Sequence, residues 1–151
     1  MIGVSGPSRD TVWKDVGDMA AIDRALAAAR ARIGPRLRPE RLPSALAGGA
    51  MVVDIRPAEL RDRDGELEGA VVIERNVLEW RLDPTSRYRL SGMDDPARRI
   101  VIVCNEGYAS SLAAAALRDI GLTNVTDLAG GYQAWRSAGW KEPRPSTSRR
   151  R

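Results

Sequence analysis

The chain holds one cysteine, Cys104, at the point where an apolar run, Ile100-Val-Ile-Val103, gives way to the short loop Asn105-Glu-Gly-Tyr-Ala109 and then to a helical pattern. A thiol at a strand-to-helix turn meets backbone N–H groups and the positive end of a helix dipole, and both favour the thiolate, which is the nucleophile. Among the 151 residues there is no histidine. Ser-His-Asp and Cys-His machinery is therefore excluded, because both need an imidazole base. Cysteine chemistry here has to rely on electrostatics and hydrogen bonds, so the loop itself, Asn105, Glu106, Gly107, Tyr108, Ala109 and Ser110, is the candidate activator. Gly107 permits a tight backbone curl. Glu106 opposes an anion in the pocket unless it points to solvent. Tyr108 has little nearby to pack on and reads as a wall of the pocket or a contact for a partner.

The elements that must position this loop follow from short β-branched runs alternating with helical patterns, which build a parallel sheet with helices on both faces, an α/β domain. Strands are expected at Met51–Ile55, Ala70–Glu74, Ile100–Val103 and Val125–Leu128. Helices are expected at Pro39–Ala47, Ala58–Arg61, Asn76–Leu82, Ser110–Ile120 and Tyr132–Ala138. For the helix after the cysteine, Ser110 or Ser111 is the expected cap and Gly121 the stop. Residues 10–33 form an alanine-rich helical stretch with Met19, Ile22, Leu26 and Ile33 at helical spacing, closed by Gly34-Pro35. The expected organisation is an N-terminal helical extension over 1–36, a domain over 37–142 and a basic, disordered tail over 143–151.

Composition sets further bounds. The length suits one core, and 43% hydrophobic with 29% charged residues is that of an ordinary globular chain. The formal charge of +4 equals the four arginines Arg144, Arg149, Arg150 and Arg151, without which basic and acidic residues balance. The basicity belongs to the tail, and no nucleic-acid partner is expected. No apolar run reaches the ~18 residues of a membrane helix and no signal peptide is visible, so the expectation is a cytoplasmic protein without a membrane partner. One cysteine and no histidine leave no metal site, and no cofactor is expected. The use of 22 arginines against 2 lysines suggests a GC-rich bacterial source.

Three motifs in order, Asp54-Ile-Arg56, Cys104-Asn-Glu-Gly107-Tyr-Ala-Ser110 and Leu128-Ala-Gly130-Gly131-Tyr-Gln-Ala-Trp135, resemble the rhodanese (sulfurtransferase) domain over roughly residues 38–141. The resemblance implies a parallel sheet of about five strands flanked by helices, with the cysteine at the base of a cradle-shaped loop. It also implies sulfur transfer through a Cys104 persulfide, from a small anionic donor such as thiosulfate to a thiol or cyanide acceptor, with the loop amides stabilising the charge. Three departures stand out. Many active members carry arginine where this chain has Ala109, Glu106 is acidic, and Gly65–Ala70 replaces a segment that commonly contains histidine and proline. Phosphatases sharing the architecture have a longer loop and grip phosphate with an arginine where this chain has Ser110. Arg75, at the end of the second strand, is the candidate to bind substrate in place of a loop arginine.

Several residues have plainer readings. Asp54 and Arg56 read as a structural pair beneath the loops. Trp80, Trp135 and Trp140 read as core volume in a chain with no phenylalanine. The alternatives to a sulfurtransferase are a rhodanese-like binding module using Tyr108, Glu106 and the N-terminal helix, and a cysteine-based phosphatase or arsenate reductase. A homodimer through the N-terminal helix is a further expectation.

Overall fold

Strict alternation along Ile100–Val103 decides the architecture: Ile100 and Ile102 point to one face of the sheet, Val101 and Val103 to the other, and all four are buried. A strand buried on both faces must be central. The computed structural model describes residues 19–139. Its strands are β1 (Met51–Asp54), β2 (Val71–Val72), β3 (Ile100–Val103) and β4 (Val125–Asp127), all parallel in the order β2-β1-β3-β4. The helices are α1 (Ala21–Ile33), α2 (Leu42–Ala47), α3 (Ala58–Asp64), α4 (Leu78–Leu82), α5 (Ala109–Asp119) and α6 (Gly131–Ser137). Short 3-10 turns, Pro39–Arg41 and Arg75–Val77, lead into α2 and α4.

The sheet has four strands where about five were expected. The fifth is reduced to a single parallel bridge, Leu37 with Leu128, held by Leu37 N–H donating to the Asp127 carbonyl (2.9 Å) and Ala129 N–H to the Leu37 carbonyl (2.8 Å). The second strand keeps only two residues of its expected five, both exposed, as an edge strand can be.

Each face has its own core. One gathers Ile100 and Ile102 with Leu78 and Leu82 of α4, Ala113, Ala114 and Leu117 of α5, and Ala29 and Ile33 of α1. The other packs Val101 and Val103 against Leu42 of α2 and Tyr132 and Trp135 of α6. The alanines of α5 leave room for α1 to lie close, and Arg32 and Arg118 tie the two helices, to Asp119 (2.7 Å) and to the Ile33 carbonyl (3.3 Å). Of the expected apolar stripe, Leu26 and Ile33 are buried while Met19 and Ile22 stay exposed. Residues 10–18 of the expected helix, Trp140 and the basic tail lie outside the described residues. Trp135 fills the core as expected, whereas Trp80 is 56% exposed on α4. Among the described residues no helix is long and apolar enough to cross a membrane.

Candidate active site

Cys104 continues the Ile100, Ile102 parity, so its side chain turns towards the α1 and α5 face just past the carboxyl end of β3, where parallel α/β sheets place their ligands. The loop curls around it. Gly107 N–H donates to Cys104 Sγ at 3.1 Å and Ser110 N–H donates at 3.2 Å. Cys104 is 6% exposed and lines a cleft of about 360 Å³ together with Asn105, Glu106, Tyr108, Ala109 and Arg75. Glu106 and Tyr108 are exposed, Tyr108 at 60%, so the acidic side chain is solvated and the aromatic one walls the cleft.

The curl depends on close backbone approach to the Gly130-Gly131 turn. Gly107 has φ +87°, and a Cβ there would stand 2.7 Å from Gly130 N. One on Gly131 would stand 2.6 Å from the Cys104 carbonyl oxygen. These glycines let the start of α6 serve as the floor of the loop: Tyr132 N–H donates to the Cys104 carbonyl (2.8 Å) and Gln133 N–H to that of Asn105 (3.0 Å). Gln133 Nε2 also bridges Asn105 Oδ1 (3.0 Å) and Asp64 Oδ2 (2.8 Å). Hydrogen bonding from Arg63, countered by burial and joined by Gln133 and Arg136, holds the Asp64 carboxyl well below the usual carboxylate range.

Ser110 and Ser111 do not cap α5, as had been expected. The N-cap position falls on Tyr108, and both serines sit in the first turn with their hydroxyls turned inward to a buried carboxylate. Ser110 Oγ and Ser111 Oγ each donate to Asp127 Oδ2 at 2.7 Å. With its one proton committed there, Ser110 Oγ accepts from the Cys104 thiol at 3.2 Å. Asp127, fully buried at the end of β4, is paired in fork fashion with Arg36 (2.8 and 3.0 Å). Arg36 Nη2 continues to the Gly107 carbonyl at 2.8 Å, and Arg30 Nη2 from α1 meets the same oxygen at 2.8 Å. Arg30 Nε donates to Ser111 Oγ at 3.0 Å.

Sequence reasoning missed Arg30, Arg36, Ser111 as a site residue, and Asp127. The one available signal was a charged residue, Asp127, inside the apolar run Val125–Leu128. Arg75 lies on the cleft beside Cys104, but both oxygens of Glu79 hold its Nη1 (2.9 and 3.0 Å). Asp54 and Arg56 form the expected structural pair: Arg56 Nη2 donates to Asp54 Oδ2 (2.8 Å) and to the Gly65 carbonyl (2.9 Å), and its guanidinium lies 3.8 Å above the Tyr132 ring.

A four-stranded parallel sheet with a cysteine cradle beyond its third strand defines an α/β protein of one known class. Residues 38–138 match the Rhodanese-like domain, and the chain belongs to that family. It is 32% identical over 102 residues to the thiosulfate sulfurtransferase GlpE of Pseudomonas entomophila, covering 68% of this chain and 84% of that protein. Among solved structures, it resembles a Rhodopseudomonas palustris protein described as of unknown function and a possible tyrosine phosphatase. That match has a TM-score of 0.71 and 28% identity, covering 91% of this chain and 97% of the other. The human single-domain sulfurtransferase TSTD1 matches with a TM-score of 0.58 and 25% identity over 73% of this chain and 99% of that one.

Proposed function

We propose that the protein is a sulfurtransferase in which Cys104 carries the transferred sulfur as a persulfide. The observation that carries this reading is a sulfur held by two backbone amides in a chain that lacks histidine. The chemistry needs no base. The thiolate attacks the outer sulfur of thiosulfate, a sulfur–sulfur bond forms to Cys104, and the donor's own S–S bond breaks with sulfite leaving on its electron pair. A thiolate acceptor then attacks the terminal sulfur, leaving as its own persulfide and returning the Cys104 thiolate. The negative charge is conserved through both steps, so what the site must supply is anion stabilisation, and inward-facing amides do that. Arg75, which lines the cleft, would meet an anionic donor once released from Glu79. The likeness to GlpE supports the same reading.

The phosphatase suggested for the Rhodopseudomonas palustris protein is disfavoured for this chain. Where such a loop needs a guanidinium, Ser110 points instead at a buried carboxylate. The test is an intact mass spectrum of the protein before and after thiosulfate, then after a reducing thiol, alongside Cys104→Ala. A gain of one sulfur that the reductant removes and the variant never shows supports the enzyme. An unchanged mass with thiosulfate, with other sulfane donors and in Ala109→Arg would leave a binding module.

A further inference from the structure

Two of the side chains that grip the cysteine loop, Arg30 of α1 and Arg36 after it, lie outside the residues that match the rhodanese-like family. We propose that the N-terminal extension is a working part of the site, with Arg30 and Arg36 as positioning residues that lock and polarise the Gly107–Tyr108 peptide. In that role they give the loop the anion affinity that its missing arginine would otherwise supply. The inference rests on the anion-holding reading of the loop given above.

Both guanidinium groups donate to one carbonyl oxygen, each at 2.8 Å. Charge-assisted bonds of this length are about twice as strong as neutral ones. They pin the Gly107 carbonyl on the side of the loop facing α1. Because the peptide is planar and trans, the Tyr108 N–H is then directed the opposite way, away from the arginines. Among the described residues that N–H has no backbone acceptor, which leaves it free for a ligand. A cation on the carbonyl oxygen also withdraws electron density through the amide and makes its N–H a better donor.

The charges behind the loop do not cancel. Arg36 is matched by Asp127, but Arg30 meets only neutral groups, the Gly107 carbonyl, Ser111 Oγ and the Tyr108 ring at 5.9 Å, and forms no ion pair among the described residues. One cation is therefore held unneutralised against the loop's outer side. Ala109 leaves the loop with no arginine of its own. The delivery is built into the fold: the Leu37–Leu128 bridge places Arg36 beside Asp127, and packing of Ala29 and Ile33 on the α5 side places Arg30 over Ser111.

The test compares alkylation of Cys104 by iodoacetate and by iodoacetamide, two reagents with the same leaving group, one anionic and one neutral. In Arg30→Met the iodoacetate rate is expected to fall about fivefold relative to the iodoacetamide rate, as befits one unscreened unit charge near a half-solvated site. Arg30→Lys, which keeps the charge, is expected to restore most of the ratio. Removing Arg36 alone strands a buried carboxylate, so Arg36→Met is made with Asp127→Asn, and a lowered ratio is expected there too. An unchanged ratio in both folded variants, or an equal slowing by both reagents, would overturn the proposal and leave the arginines a purely structural role. A lowered ratio in a protein that takes up sulfur from no donor would uphold the clamp while refuting the sulfurtransferase reading. Sulfur uptake with an unchanged ratio would refute the clamp alone.

Discussion

Gly107→Ala tests the cradle at its tightest point. The residue sits at φ +87°, where a side chain costs roughly 1–2 kcal/mol, and the new methyl would stand 2.7 Å from Gly130 N and 3.1 Å from Gly131 N. Those neighbours are backbone atoms at the start of α6 and cannot swing aside. Reaching the 3.4 Å of ordinary contact moves the loop by about 0.7 Å from its floor. A shift of that size lengthens the 3.1 Å bond from Gly107 N–H to Cys104 Sγ by up to about 0.7 Å and weakens it. A hydrogen bond to a charged group contributes about 1.5–3 kcal/mol, so the nucleophile loses roughly 10- to 100-fold in rate. The rest of the domain does not depend on this contact, so the melting temperature should drop by only a few degrees. The assay is the rate of sulfur uptake at Cys104 by mass spectrometry, beside a thermal melt. A folded Gly107→Ala protein that loads sulfur at the wild-type rate would show that the amide cradle is not what activates the thiol.

Other consequences concern stability. Arg56→Met removes the partner of a fully buried carboxylate and is expected to cost about 3–5 kcal/mol in urea unfolding. Adding Asp54→Leu should recover a large part of that, and a double variant no more stable than the single one would argue against an unpaired charge as the cause. The Asp64 carboxyl is held below its ordinary value in the folded state, so its contribution is present above the unfolded-state value near 4 and is lost as pH falls below it. Asp64→Asn should therefore flatten the acid limb of a stability-against-pH curve below about pH 4, and an identical slope in both proteins would contradict the assignment.

The cysteine, its loop and the parallel core were legible because each is local. Apolar alternation marks β3, a polar break marks its end, and Gly107 marks the curl. Asp54 and Arg56, two residues apart on one strand end, were legible as a pair for the same reason. What joins the site from a distance was not. Arg30 and Gly107 are 77 residues apart, and Arg36 and Asp127 are 91 apart. Nothing in a run of alanine and arginine says which guanidinium turns inward. Ser110 and Ser111 carry a genuine capping signal, but Asp127, placed beneath them by the β4 register, offers their hydroxyls a charged acceptor and takes them. Trp80 misled for a similar reason: its bulk suggests core, yet α4 is a five-residue helix whose buried face is already filled by Leu78 and Leu82.

On the sulfurtransferase reading proposed above, the buried Asp127 gives this cradle a reason to suit a persulfide better than a bare thiolate. Ser110 has one proton, and Asp127 and an ionised Cys104 both want it. If the hydroxyl turns to the sulfur, Asp127 keeps Ser111 and Arg36, so the carboxylate stays satisfied, but two anions then face each other across one hydroxyl. Cys104 lines the cleft, whereas Asp127 is fully buried and does not. An added sulfur extending towards the cleft would carry the charge up to about 2.05 Å farther from Asp127. On that reading sulfur uptake relieves a like-charge contact. A phosphoryl group would bring more negative charge into the loop, where the sixth position offers a hydroxyl bound to a carboxylate in place of a cation. On the proposed reading, the same buried carboxylate that disfavours the phosphatase favours sulfur uptake on the side of the cleft.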